Sequence, residues 1–135
     1  MKSKVVLKEE MNFIGELDGF DIPIDADEQF GGKNKGPKPK GLVLTALAGC
    51  TAMDVISILR KMKAEPDDFS VEVEAELTDT HPKVFKNFLI KYYFKGEKVT
   101  EDKAKRAVEL SLENYCGVAA MLKKVGPVDY KIVID

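Results

Sequence analysis

The stretch LTALAGCTAMDVISILRKM, Leu44 to Met62, decides the fold. Taken from Leu42 to Met62 it makes about five to six helical turns at ~3.6 residues per turn. Apolar side chains fall on every side of it through Leu59, and only Arg60, Lys61 and Lys63 make its end polar. A helix apolar all round is a surrounded one. Asp54 interrupts the run and lysines flank it, whereas a membrane span needs about 20 mostly apolar residues without such a charge. In its middle stands Cys50, among Ala46, Ala48, Gly49 and Ala52, small residues that let a backbone or a substrate come close. Ala46, Met53, Asp54 and Ser57 share its helical face.

Outward from this helix the chain alternates strands and helices. Upstream, Val5–Glu9, Asn12–Leu17 and Phe20–Asp25 read as an antiparallel meander, the last two strands joined by the hairpin signal Asp18-Gly19. GGKNKGPKPK, Gly31 to Lys40, is an exposed loop that leads into the helix, with Pro39 presetting its start. Downstream, FSVEVEAEL has period two: Phe69, Val71, Val73, Ala75 and Leu77 on one face, and Ser70, Glu72, Glu74 and Glu76 on the wet one. Phe85–Phe94 is its antiparallel partner, closed by Gly96. Thr100 is the expected N-cap of a second helix, with Glu101 and Asp102 in its first turn. That helix should bury Ala104, Ala107, Val108, Ser111, Leu112 and Tyr115, and Gly117 should end or kink it just past Cys116. A short amphipathic turn over 118–124 and Gly126-Pro127 lead to a last strand, VDYKIVI.

The order predicts a single α+β domain over 1–135, with antiparallel sheets packed on a long central buried helix and on a second helix. One small, half-solvated sheet covers too little of a helix apolar on all faces. A second copy of the chain would supply the rest, so a homodimer is expected, although Met1–Asp25 could instead fold over the helix within one chain.

Bulk properties narrow the function. With 135 residues, 21 Lys+Arg against 23 Asp+Glu and a net charge of −2, the chain supports one core and has no field that would draw it onto nucleic acid or an anionic membrane. MKSKVVLKEEMNFIGEL has no uninterrupted apolar run after its lysines, so a secretory leader is not expected and the compartment predicted is the cytoplasm. Two cysteines and one histidine are too few for a structural zinc, and no cofactor is implied. In a reducing cytosol the two cysteines are free buried thiols or one redox pair.

Alone, Cys50 reads as a small hydrophobe. Cys116 lies at a helix junction beside Gly117, where the next turn's amides are expected to lower its pKa and access is expected. Sequence spacing says nothing of whether the two meet. His81, before Pro82, reads as a turn residue, the glutamate row as a solvated strand face, and Tyr92, Tyr93 and Tyr115 as core or rim aromatics.

GPKPKGLVLTALAGCTAMDVISILRKM together with NYCGVAAMLKK and the His-Pro-x-x-Phe segment His81–Phe85 resembles the OsmC/Ohr family, in particular its OsmC-like branch, over nearly the whole chain. The resemblance implies an intertwined α+β homodimer and a thiol peroxidase that reduces organic hydroperoxides in oxidative-stress defence. It implies Cys50 as the peroxidatic thiolate, Cys116 as the resolving thiol that forms a disulfide with it, and an external dithiol of lipoyl type as reductant. Apolar walls, with Leu47, Met53, Ile56, Phe88 and Met121 as candidates, would favour an alkyl peroxide.

The family's activating pair, a Glu just before the helix and an Arg from the N-terminal region, has no counterpart at the matching positions. Pro39-Lys40-Gly41 holds no Glu, and the only arginines are Arg60 and Arg106. Lys33, Lys35, Lys38 and Lys40 are partial substitutes or simply a solvated loop. Asp54 raises a nearby thiol pKa unless a cation neutralises it. The alternative reading is therefore a non-enzymatic protein of the same fold that holds a small apolar ligand, and a weaker third is a sensor whose disulfide changes dimer packing.

Overall fold

The computed structural model describes residues 1–135, which form two compact units, Met1–Val43 and Leu44–Asp135.

In the first unit β1 (Ser3–Glu9), β2 (Asn12–Leu17) and β3 (Phe20–Ile24) form an antiparallel meander in that order. Leu17 pairs with Phe20 across the Asp18-Gly19 turn, and both turn residues have positive φ, 53° and 81°. This is the primed turn whose twist matches the strands. Past β3 the buried Asp25 carboxylate organises the lysine loop, accepting backbone N–H bonds from Ala26 (2.8 Å), Lys35 (3.0 Å) and Lys33 (3.3 Å). These bonds, Lys35's foremost, hold its pKa below the usual carboxylate range. Gly32 is packed so tightly that a Cβ would fall 1.6 Å from the Ala26 carbonyl oxygen. The unit buries no large apolar side chain: Val5, Leu7, Phe20 and Phe30 are all exposed.

In the second unit β4 (Asp68–Leu77) pairs antiparallel with β5 (Phe85–Lys95), and β6 (Val128–Ile134) joins the other edge of β5 in parallel. The expectation of wholly antiparallel sheets fails at this one strand. A parallel neighbour needs a crossover of a dozen or more residues, and α2 (Glu101–Leu110) and α3 (Gly117–Leu122) supply it. The Thr100 hydroxyl caps α2, accepting the Lys103 N–H at 3.3 Å. Glu72 and Glu74 lie on the wet face of β4 with Lys91 across from them (3.9 and 3.0 Å).

The core joins Leu47, Val55 and Leu59 of α1 (Gly41–Lys61, whose first three residues belong to the first unit) to Phe88, Ile90, Tyr92 and Phe94 of β5 and Ala104, Ala107 and Val108 of α2. Burial of each large apolar side chain contributes about 1.5–3 kcal/mol. On α1 only Leu47, Thr51, Val55 and Leu59 are buried, one stripe at spacing four. The chain by itself therefore does not surround this helix, and Met53 remains 74% exposed.

Candidate functional site

The second unit brings the two cysteines together. Cys50 is half-buried against the core at the middle of α1. Cys116 reaches the same place through a π-turn, Ser111–Tyr115, which follows α2 directly. Its closing bond runs from the Cys116 N–H to the Ser111 carbonyl at 2.7 Å, five residues back. The extra residue rotates the apolar stripe, so Tyr115 turns out to solvent (65% exposed) and Cys116 turns in (3%). The expected burial of Tyr115 and access to Cys116 are both reversed for this reason. The chain breaks at Cys116 itself, in extended conformation, and Gly117 begins α3 instead of ending α2.

The Cys116 Sγ caps α3, accepting the Ala119 N–H at 3.4 Å. That bond acts in the anticipated direction and favours thiolate, but burial outweighs it and pushes the thiol up to about 11. The neighbouring Cys50 sulfur and the Asp54 carboxylate add to the rise. Both cysteines are free thiols. The pair is thus asymmetric, a half-buried sulfur on a helix beside a buried one that keeps its proton.

Asp54 has no lysine or arginine partner. It accepts instead from the Ser111 hydroxyl at 2.9 Å. Ser111 Oγ lies 2.7 Å from Thr51 Oγ1, which lies 2.8 Å from the Tyr92 hydroxyl. Each hydroxyl has one proton, and Ser111 spends its own on Asp54. Thr51 must then donate to Ser111, and Tyr92 to Thr51. Tyr92, Thr51 and Ser111 are fully buried, and burial pushes the Tyr92 phenol up. The result is a one-way chain of hydroxyls that ends on a carboxylate one turn past Cys50. Sequence reasoning missed it, although Thr51 and Ser111 stand as polar residues in otherwise apolar stripes.

The other candidates have surroundings of their own. Lys33, Lys35 and Lys38 pair with Glu10 (3.9 Å), Glu9 and Asp27 (2.8 Å) within the first unit. His81 is exposed in a turn. Of the anticipated apolar wall, Leu47 and Phe88 are buried in the core, while Met53 and Met121 are exposed.

Residues 32–131 match the family model described as OsmC-like protein. The chain belongs to the OsmC-like family. Protein YhfA of Escherichia coli K12 is 34% identical over 125 residues, which are 92% of this chain and 90% of YhfA. Among solved structures, a hypothetical protein from Aquifex aeolicus VF5 superposes with a TM-score of 0.83 at 28% identity, covering 99% of this chain and 96% of its own. A Legionella pneumophila protein named as an organic hydroperoxide resistance protein OsmC and predicted redox protein has a TM-score of 0.70, with 99% and 95% covered. At 20% identity it bears on the fold alone.

Proposed function

We propose that this OsmC-like protein is a two-cysteine peroxidase for organic hydroperoxides. The observation that carries the reading is the meeting of a half-buried Cys50 with a buried, protonated Cys116 contributed by a separate helix turn. The Cys50 thiolate attacks the terminal peroxide oxygen and the O–O bond breaks. The alkoxide takes up a proton and leaves as the alcohol, and Cys50 is oxidised by two electrons to sulfenic acid. The Cys116 sulfur then attacks the Cys50 sulfur, and the departing hydroxide leaves as water with the Cys116 proton. An external dithiol returns two electrons and two protons to the disulfide, a cycle suited to the reducing cytoplasm.

Membership of the OsmC-like family supports the reading. The active form is a homodimer, because the first unit buries no large apolar side chain and α1 buries only Leu47, Thr51, Val55 and Leu59. A three-stranded sheet needs a covered face to be stable.

A second reading, a small-ligand-binding protein with idle thiols, draws support from Asp54. An anion with no cationic partner disfavours thiolate beside it. The two readings separate when fully reduced protein meets cumene hydroperoxide and, separately, hydrogen peroxide, with thiols and intact mass followed over time. A peroxidase loses two hydrogens rapidly with the organic peroxide, Cys116→Ser stops at a trappable sulfenic acid, and Cys50→Ser is inert. Thiols that react no faster than free cysteine would refute it and leave ligand binding.

A further inference from the structure

We infer that Ser111 is the positioning residue of the dithiol pair. Its carbonyl accepts the Cys116 N–H at 2.7 Å, and its hydroxyl is bonded on both sides to α1, to Asp54 (2.9 Å) and Thr51 (2.7 Å). Thr51 and Asp54 belong to the same helical turn as Cys50. One residue therefore grips the turn that carries each sulfur, through its main chain on one side and its side chain on the other.

Stability alone gives no reason for this construction. Burying hydroxyls gains little even when all are satisfied, and replacing both partners of a buried hydrogen bond by apolar groups of the same shape is often neutral or stabilising. Ala, Val and Phe at 111, 51 and 92 would continue the surrounding core. The polar residues are instead concentrated within a turn of two thiols and next to a π-turn, an insertion frequent at functional sites. Directional bonds fix distance and angle where apolar contacts slide. A misplacement of about 1 Å can cost on the order of 10²-fold in a step that depends on proximity.

This inference rests on the dithiol reading but not on peroxide chemistry, and its test avoids peroxide. Reduced wild type, Ser111→Ala and Tyr130→Phe are equilibrated in graded glutathione redox buffers and quenched by alkylation, and intact mass gives the effective concentration of Cys116 toward Cys50. Tyr130→Phe removes a 2.9 Å hydrogen bond to Glu109, keeps the ring's edge-on contact with Tyr92, and controls for general softening. Ser111→Ala is expected to lower the effective concentration at least about tenfold, with Tyr130→Phe within about twofold of wild type. Thr51→Val cuts one of the two Ser111 bonds from the α1 side without altering the charge beside the thiols and should fall between wild type and Ser111→Ala, which keeps the test valid if Ser111→Ala folds poorly. Equal values for wild type and both link variants, or equal losses in all variants, would overturn the inference, as would a wild type that forms no internal disulfide in any buffer. A wild type that forms the disulfide through Ser111 yet ignores peroxide supports the inference and refutes only the peroxidase.

Discussion

At position 54 a carboxylate stands one helical turn beyond Cys50, held by a hydroxyl chain instead of a cation. Its charge should hold back thiolate formation, so Asp54→Asn, which still accepts from Ser111, is expected to speed alkylation of the dithiol by iodoacetamide near neutral pH. One pKa unit of relief would give up to about tenfold. Unchanged or slower alkylation would mean that the charge does not reach the sulfurs. Cys116 carries a second prediction. Its ordinary pKa of 9.0 is raised to about 11, chiefly by burial, so the folded state retains a proton that the unfolded chain gives up first. The stability this contributes is complete below 9.0 and is lost as pH climbs through about 11. Urea midpoints of wild type should therefore fall more steeply across that range than those of Cys116→Ser, and parallel curves would refute the shift. Both cysteines were legible from their neighbours, but the direction of this shift was not, because an amide that lowers a pKa is visible in sequence and the burial that outweighs it is not.

Among the elements, the π-turn shows most plainly what periodicity misses. Ala104, Ala107, Val108, Ser111 and Leu112 follow the expected stripe of α2, and only the inserted residue spoils it, exchanging Tyr115 for Cys116. Deleting the exposed Asn114 should restore α-helical spacing and seat Cys116 on the inward position of the stripe, four residues past Ser111, so that the thiol stays buried. Continued protection of Cys116 from alkylation and an internal disulfide that still forms, in a variant whose far-ultraviolet dichroism is unchanged, are the expected result. Rapid alkylation of Cys116 in that variant would show that the π-turn aims the thiol by more than its residue count. The lysine loop is a second such element. It is punctuated by glycines and prolines, yet it is ordered by one buried carboxylate, which Gly31–Lys40 on their own do not announce. Because Asp25 has a lowered pKa, that order should persist above the usual carboxylate range near pH ~4 and be lost as pH falls through the lower folded value. Asp25→Ala should make tryptic cleavage at Lys33–Lys40 much faster at neutral pH, and an unchanged cleavage pattern would count against the role. The parallel entry of β6 escaped the sequence for another reason: an alternating strand pattern is the same in either direction, and only the crossover length distinguishes them.

For the molecule as a whole, the hydrophobic pattern of α1 foretold more burial than one chain provides. Strand order, both helices and the hairpin were legible because each has a local signal, a period of two or ~3.6 or a turn dipeptide. The cover of α1 has no local signal; the sequence shows only that cover is needed. Met53 at 74% and Phe20 at 73% exposure, with Val5 and Leu7 above half, leave both units with uncovered apolar surface. A second copy is the occupant that is always present at equal concentration, and closed twofold pairing buries the same patch on both chains. The expected mass in solution is therefore about 30 kDa, twice the chain's 15.0 kDa. If folding and pairing are one process, the melting temperature should rise with protein concentration by mass action. Met53→Glu places a charge on the open face of α1 and touches no core residue. It should shift the mass toward the single chain and lower the melting temperature in proportion, with the loss recovered at high protein concentration. A wild type that sediments as a single chain, with a melting temperature independent of concentration, would return the exposed helix face to solvent and remove the dimer from the proposed mechanism.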